Sequence, residues 1–224
     1  MSDPNRPLRI NAILLGNPGV GKSTLGTAST QPNFKFDPKR HIASIGVDFT
    51  IKSVTHGKEE LKMMIWDTGN GRGIVRTSIA VYRVADVVMI CFDLSDRDSF
   101  KSVERWADDV QKNAPEAVTV LLGTKADLRE TTSNKPAVVN FEEGVGLAAK
   151  IGAHKYLEVS SKTKEGIDDM FDDQLIEKAL ELAKRKRHKQ SRQSKWIGTK
   201  TLSKNLSKEG IAGHGPSSSS CTLL

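Results

Sequence analysis

Residues 16–23 read Gly-Asn-Pro-Gly-Val-Gly-Lys-Ser and match the pattern G-x-x-x-x-G-K-[ST] in full. This stretch directly follows the apolar run 8–15 and precedes Ser23-Thr24-Leu25, a plausible helix start. Its glycines let backbone N–H groups converge on phosphate oxygens, and the N-terminus of the helix adds a positive dipole. The stretch therefore predicts a phosphate-binding loop between a strand and a helix. We expect Lys22 to reach the β- and γ-phosphates as a catalytic residue, the Ser23 hydroxyl to bind Mg²⁺, and further nucleotide contacts to come from Gly19, Val20, Gly21 and Thr24.

Apolar runs rich in β-branched residues surround this loop and predict six strands. They cover residues 8–15, 47–54, 61–66, 87–92, 118–122 and 156–159. Several are nearly all apolar, as strands covered on both faces are, whereas 47–54 alternates and fits an exposed edge strand. Helical spacing of apolar residues predicts helices from Phe100 to Val110, with Ser99 as the candidate cap, and from Ile167 to Leu182. This alternation predicts an α/β fold of the P-loop NTPase type: a mostly parallel six-stranded sheet with helices on both faces and ligands at the carboxyl ends of the strands.

Composition and charge divide the chain into a body and a tail. The 224 residues are 37% hydrophobic and 27% charged, which is enough apolar content for one ordinary core. Residues 184–224 contain ten lysines and arginines against one acidic residue, so they carry a net charge of +9 and leave −2 on residues 1–183. A basic tail on a nearly neutral body indicates an electrostatic arm. We predict a flexible N-terminus at 1–7, one domain at 8–183 and a disordered, basic, Ser/Gly-rich tail at 184–224.

The same composition argues against several classes of protein. The mean hydropathy is −0.40, and there is no apolar run near the ~18 residues of a transmembrane helix. The first thirty or so residues lack the features of a signal peptide, so none is expected. The two cysteines, Cys91 and Cys221, cannot form a disulfide framework or a cysteine-rich zinc site. Cys91 lies in an apolar run and is expected to be a core thiol in a reducing compartment.

Three further motifs stand at predicted strand ends. Trp66-Asp67-Thr68 ends the third strand, where Asp67 can hold Mg²⁺ through water, Gly123–Asp127 follows the fifth strand, and Glu158–Lys162 follows the sixth. Together with the phosphate-binding loop and the Ser-Ile-Gly-Val-Asp-Phe stretch at 44–49, their order resembles that of a Ras-superfamily small GTPase over roughly residues 8–183. The resemblance implies a guanine-nucleotide-binding domain whose cofactors are GTP or GDP and Mg²⁺.

The resemblance also implies which residues read the base. Thr124–Asp127 reads Thr-Lys-Ala-Asp where the family has Asn-Lys-x-Asp. Asp127 would then accept hydrogen bonds from the N1–H and 2-amino group of guanine, which adenine cannot supply, and Lys125 would lie along the base. The loop Ser160–Lys162 is similar to the family's Ser-Ala-Lys, so the Ser161 amide would meet guanine O6.

The first switch carries two further expectations and a subfamily signal. Ser44 stands where relatives have a threonine, and its hydroxyl would bind Mg²⁺ and the γ-phosphate. Phe34 would pack against the edge of the base; a core phenylalanine is the alternative. Residues 45–49 resemble Rab proteins, whereas 123–129 and 151–158 resemble Rho proteins. We therefore expect a Rab-like first switch with Rho-like features in the second half.

The second switch departs from the family pattern. Residues 67–72 read Asp-Thr-Gly-Asn-Gly-Arg, where the family reads Asp-Thr-Ala-Gly-Gln. In ungapped register Gly71 replaces the catalytic glutamine that orients the attacking water, and a slip of one residue puts Arg72 there instead. An arginine can bind phosphate oxygen but has no acceptor with which to orient water. We expect hydrolysis of GTP to GDP and phosphate to be slow, with a hydrolysis-deficient GTP-binding scaffold as the alternative function.

The end of the tail predicts attachment to a membrane. Cys221-Thr222-Leu223-Leu224 fits the C-a-a-X pattern with X = Leu, which predicts geranylgeranylation of Cys221. One prenyl chain anchors only marginally, and the basic run 184–195 adds attraction to an anionic membrane surface. We expect a cytoplasmic switch protein on the cytoplasmic face of a membrane, in signalling or vesicle traffic. The resemblance implies that effectors, an exchange factor and an activating protein bind residues 36–50 and 68–80.

Two other function classes fit less well. A P-loop kinase of a small metabolite would leave Thr124–Asp127, the Trp66-Asp67-Thr68 strand end and Cys221 unexplained. A nucleic-acid binder would need a basic face on the body, and none is countable from the sequence. We therefore expect no nucleic-acid partner and a monomeric protein.

Overall fold

The structure is a computed structural model that describes residues 9–38, 48–69, 75–129 and 138–189, with 75–78 described for the backbone alone. The described strands are β1 Arg9–Leu15, β2 Asp48–His56, β3 Glu59–Asp67, β4 Val87–Asp93, β5 Val118–Thr124 and β6 Lys155–Val159. The described helices are α1 Lys22–Thr30, α2 Val75–Val84, α3 Arg97–Lys101, α4 Val103–Asn113, α5 Phe141–Lys150 and α6 at 173–189. The described residues also form 3₁₀ turns at Ala126–Arg129 and Asp168–Phe171.

The strands form one sheet in the order β2-β3-β1-β4-β5-β6. Only β2 runs antiparallel to its neighbour, and the other four neighbouring pairs are parallel. All six predicted strands are present, with ends within two residues of the prediction, and the predicted edge strand is at the edge. Because β1, β3, β4, β5 and β6 run the same way, the loops after their carboxyl ends meet along one edge of the sheet.

Helices cover both faces of the sheet, as predicted. Side chains of α1 and α6 pack on one face with those of β1 and β3, and side chains of α2, α4 and α5 pack on the other. All seven residues of β4 are buried, which explains why its first six residues, 87–92, are apolar without alternation. Cys91 in β4 is the buried core thiol that the sequence predicts, and burial raises its pKa to about 12.

The predicted start of the helix after β4 is wrong. Asp96, not Ser99, caps this helix, because its carboxylate accepts the backbone N–H groups of Asp98 and Ser99 at 3.0 and 3.3 Å. Ser99 lies inside the first turn, where its buried hydroxyl donates to the Asp96 carbonyl. The helix therefore begins at Arg97, and it breaks at Ser102 into α3 and α4.

The predicted helix from Ile167 to Leu182 is also divided. Its first part is the separate 3₁₀ turn Asp168–Phe171, and the continuous helix α6 begins only at residue 173. Asp172 causes this break, because it is extended and its carboxylate accepts the N–H of Leu175 at 2.8 Å, as a helix cap does.

The chain divides into two compact units at Lys184. The described residues 9–184 belong to one unit and the last described residues, 185–189, belong to the other. Within the described ranges, no helix is both long and apolar enough to cross a membrane.

Candidate functional site

The loop after β1 has the geometry of a phosphate-binding loop. Gly16, Gly19 and Gly21 all have positive φ angles, of 139°, 81° and 97°. At Gly16 no larger residue fits, because a Cβ would lie 2.2 Å from the carbonyl oxygen of Cys91 in β4. The glycines of the motif are therefore required by backbone conformation and by close approach of the neighbouring strand.

Lys22 is the first residue of α1 and is buried beneath this loop, with 4% of its surface exposed. Its ammonium group donates to the carbonyl oxygens of Gly16 at 2.9 Å and Asn17 at 3.0 Å. Burial lowers the pKa of Lys22, and the nearby Asp67 carboxylate opposes this shift only in part. The lysine is thus aimed by its own loop, and its charge is placed close to Asp67.

The end of β3 is anchored beside the same loop. Asp67 is the last residue of β3, is buried, and accepts the Gly69 N–H at 3.1 Å through Oδ1. Thr68 donates its hydroxyl to the Leu14 carbonyl at 2.8 Å, which ties this strand end to β1. Ser23 follows Lys22 in the first turn of α1.

Thr124, the last residue of β5, and Lys125, which follows it, connect this strand end to the phosphate-binding loop. The hydroxyl of Thr124 is buried and lies within hydrogen-bonding distance of two carbonyl oxygens, that of Val20 at 2.6 Å and that of Phe92 at 2.9 Å. Lys125 has a φ of 63° and donates its ammonium to Asp93 Oδ2 at 2.5 Å and to the Gly19 carbonyl at 3.4 Å. Two separate motifs of the sequence therefore form one hydrogen-bonded unit.

Asp127 is held by the loop that follows β6. Its Oδ1 accepts the Ser160 hydroxyl at 2.7 Å, and its Oδ2 accepts the Lys162 ammonium at 3.3 Å. The fully buried Ser160 oxygen in turn accepts the N–H groups of Lys162 and Thr163, both at 3.2 Å. The carboxylate is therefore fixed in orientation by donors from a loop 33 residues away in the sequence.

The Arg129–Glu158 ion pair also links the 3₁₀ turn after β5 to β6. Arg129 donates to both carboxylate oxygens of Glu158, at 2.9 and 2.5 Å, and the Tyr156 hydroxyl donates to the same group at 2.7 Å. Burial raises the pKa of Glu158, but the hydrogen bonds from Arg129 and Tyr156 outweigh it and hold the pKa below its ordinary value. The Tyr156 ring lies against α5 at Gly144, where a Cβ would be 2.2 Å from the ring.

These loops enclose a cleft of about 880 Å³ at the carboxyl edge of the sheet. Predicted site residues from all three loops and α1 line it: Gly19, Val20, Gly21, Thr24, Phe34, Thr124, Lys125, Asp127, Ser161 and Lys162. Phe34 is half-buried; it lines the cleft and also packs against the core. Lys22, Ser23, Asp67 and Ser160 do not line the cleft; Lys22 and Ser160 lie buried behind its wall.

Four further residues line the cleft and were missed in the sequence: Lys35, Phe36, Pro38 and Leu128. Each follows a predicted residue closely, so proximity to Phe34 and Asp127 was the available signal. The predicted residues Ser44, Gly71, Arg72 and Cys221 lie outside the described residues.

The site defines the class of P-loop nucleotide-binding proteins. In that class, a glycine-rich loop at the carboxyl edge of a parallel sheet connects a strand to a helix that begins with a buried lysine, as it does here. The family model described as "Ras family" matches residues 11–181. The chain therefore belongs to the Ras family and is a small GTPase of the Ras, Rab and Rho type.

Individual relatives confirm the mixed subfamily resemblance. The chain is similar to the GTP-binding protein ypt2 of Schizosaccharomyces pombe, with 33% identity over 76% of this chain and 82% of the relative. It is similar to the Rho-related protein racE of Dictyostelium discoideum, with 31% identity over 73% of this chain and 74% of the relative. It is also similar to the Ras-related protein Rab-19 of Mus musculus, with 32% identity over 76% of this chain and 75% of the relative.

Proposed function

We propose that this GTPase is a membrane-attached, Mg²⁺-dependent GDP/GTP switch that selects guanine and hydrolyses GTP slowly. One observation carries the proposal: the cleft joins the phosphate-binding loop at Gly19–Gly21 to the carboxylate of Asp127, with Lys125 between them. A volume of about 880 Å³ is in the range of sites that enclose a small ligand.

Guanine selection follows from the chemistry of Asp127. A carboxylate offers about four lone-pair positions on its two oxygens, and Ser160 and Lys162 occupy one on each. The remaining positions match the N1–H and 2-amino donors of guanine, whereas adenine presents an acceptor at N1 and has no 2-amino group. In this proposal the Ser161 amide meets O6, and Phe34 and Lys125 flank the base.

The residues assigned to Mg²⁺ provide the donors that this ion prefers. Ser23 and Ser44 offer hydroxyl oxygens and Asp67 offers a carboxylate, through water, and Mg²⁺ binds hard oxygen ligands and keeps several waters. The ion would neutralise negative charge on the β- and γ-phosphates beside the Lys22 ammonium. The lowered pKa of the buried lysine does not prevent this role, because phosphate and Asp67 both favour its charged form.

The test of guanine selection is the nucleotide that co-purifies with the protein, together with the affinities for GDP, ADP and xanthosine diphosphate. We expect GDP, with strong preference over ADP. Asp127→Asn should shift the preference towards xanthine, because an amide can donate to the C2 carbonyl of that base. Asp108→Asn, an exposed residue of α4, serves as the matched control and should keep the preference for GDP. Equal affinity of the unmodified protein for GDP and ADP would exclude the assignment.

Slow hydrolysis and the scaffold alternative both depend on the missing glutamine in residues 67–72. Single-turnover GTP hydrolysis, with and without an activating protein, separates a slow enzyme from a scaffold that stays bound to GTP. Gly71→Gln and Arg72→Gln should be assayed beside the unmodified chain, and the variant that recovers the rate identifies which position faces the water. A starting rate equal to that of glutamine-bearing relatives would contradict the proposal.

Partners would bind a surface that includes the outer edge of the sheet. Phe49 and Ile51 in β2 are 45% and 53% exposed, and they stand opposite Trp66 and Met64 in β3. Exposed apolar side chains grouped on one face are typical of protein-binding surfaces. We propose that effectors, an exchange factor and an activating protein bind residues 36–50 and 68–80 together with this face.

Membrane attachment would come from the tail. We propose that the prenylated Cys221 anchors a monomeric protein on the cytoplasmic face of a membrane, while the basic run 184–195 adds attraction to anionic lipids without involving nucleic acid.

A further inference from the structure

Asn17 occupies a variable position of the phosphate-binding pattern, yet it makes more hydrogen bonds than its neighbours in the loop. Its side-chain Nδ2 donates to the Ser102 hydroxyl at 3.0 Å, and its Oδ1 accepts the indole N–H of Trp106 at 3.1 Å. Its backbone carbonyl accepts the Lys22 ammonium at 3.0 Å. One residue thus connects the lysine of the loop to the helices that follow β4.

The directions of these bonds are fixed by chemistry. An indole N–H can only donate, so the amide oxygen of Asn17 must face Trp106 and the NH₂ group must face Ser102. The Ser102 hydroxyl donates its own hydrogen to the Asp98 carbonyl at 2.8 Å, which leaves an oxygen lone pair for Asn17. Each of these polar groups is satisfied in this arrangement and in no arrangement with the amide reversed.

The helical side of the contact is well anchored. Trp106 is half-buried against the core cluster that includes Val103 and Val110, and the Arg105 guanidinium lies 5.3 Å from its ring centroid. Ser102 is the residue at which α3 ends and α4 begins, and a serine that bonds the carbonyl four residues earlier bends a helix. Asn17 therefore docks the loop at a bend whose position is set by core packing.

We propose that Asn17 is a positioning residue for the phosphate-binding loop. By tying the loop to Ser102 and Trp106, it holds the Asn17 carbonyl where, with that of Gly16, it aims the Lys22 ammonium at the β-phosphate. The inference rests on the nucleotide binding proposed above. It acts through Lys22, so it concerns the β-phosphate and not the base.

The test compares ligands that differ by the phosphate that Lys22 contacts. Affinities for GDP and GMP are measured by displacement of a fluorescent guanine nucleotide from the full chain carrying Asn17→Ala, Trp106→Phe or both. Asn17→Ala should lower the ratio of GDP to GMP affinity about fivefold to tenfold, the effect of losing hydrogen bonds of ordinary strength. Trp106→Phe, which keeps the ring and removes the donor, should lower the ratio less. The double variant should not exceed Asn17→Ala, because the two changes remove a shared bond.

The control is Asn113→Ala, which should leave the ratio unchanged, because among the described residues the Asn113 amide donates within α4, to the Asp109 carbonyl. If Asn17→Ala lowers the affinities for GDP and GMP equally, the residue has a merely structural role and the inference is wrong. It is equally wrong if neither affinity changes. Failure of the unmodified protein to bind GDP at all would instead refute the proposed function.

Discussion

Removal of the Thr124 hydroxyl should weaken the contact between the end of β5 and the phosphate-binding loop. Thr124→Val keeps the shape of the side chain and deletes the hydroxyl that lies 2.6 Å from the Val20 carbonyl oxygen and 2.9 Å from that of Phe92. A buried acceptor left without its donor costs about 1 to 3 kcal/mol. For a chain of this size, 1 kcal/mol shifts the melting temperature by roughly 2–4 °C, so we expect a fall of about 2 to 12 °C. Release of GDP should also accelerate, because Val20 belongs to the phosphate-binding loop.

The assay is thermal unfolding of the nucleotide-free and GDP-saturated protein, combined with the rate of GDP release. Thr119→Val is the matched control, since Thr119 is half-buried in the same strand and its side chain has no hydrogen bond to the described residues. It should change the unfolding free energy by less than about 0.5 kcal/mol. Thr124→Asn should recover most of the loss, because its amide can donate one hydrogen to each carbonyl. If Thr124→Val and Thr119→Val have the same melting temperature and release GDP at the same rate, the Thr124 hydroxyl does not connect β5 to the phosphate-binding loop.

Three further predictions concern a packing contact, an ion pair and the tail. Gly144→Ala should lower the unfolding free energy by about 1 to 3 kcal/mol, because its Cβ would meet the ring of Tyr156. Gly146→Ala is the control: it has open space at its Cβ and should be neutral or stabilising. Equal effects of the two variants in urea unfolding would contradict this prediction. Arg129→Leu should cost about 1 kcal/mol at pH 7. Because the pKa of Glu158 is depressed in the folded protein, the stability that the ion pair contributes is present above the unfolded pKa of ~4.3 and is lost as the pH falls through the folded pKa. The difference in unfolding free energy between Arg129→Leu and the unmodified protein should therefore shrink below about pH 4. A difference that stays constant with pH would count against the ion pair. Cys221→Ser should move the protein to the soluble pool in cell fractionation, and an unchanged membrane pool would exclude the lipid anchor.

The fold was predictable because burial on two faces leaves a strong signal in the sequence. A strand such as β4, which is buried on both faces, carries an unbroken apolar run, here the six residues 87–92, and turn or helix signals on either side distinguish such a run as a strand. Helix ends were less predictable, because several residues near an end can cap it. Asp96 and Ser99 are both competent caps, and the outcome depends on the backbone, which is extended at Asp96 and already helical at Ser99.

The candidate site was predictable only where a residue type is required by the chemistry of the ligand. Lys22, Asp67 and Asp127 belong to fixed positions of motifs. Asn17 stands at a variable position of its motif, and its partners lie 85 and 89 residues away. A short pattern in one sequence carries no information about contacts at that separation, so this role could be seen only in the folded chain.

The distribution of donors around the phosphate-binding loop explains why distant residues matter to it. A loop whose N–H groups converge on an anion turns its carbonyl oxygens the other way, and each buried carbonyl then needs a donor. Lys22 serves the carbonyls of Gly16 and Asn17 and Thr124 serves that of Val20, while Lys125 also reaches the carbonyl of the exposed Gly19 at 3.4 Å. Two of these three donors come from Thr124–Asp127, the motif that we propose reads the base. In the proposed function, the conformation that binds phosphate therefore depends on residues of the motif that would select guanine, and a change at Thr124 or Lys125 should alter the affinity for phosphate even when no atom near the phosphate is touched.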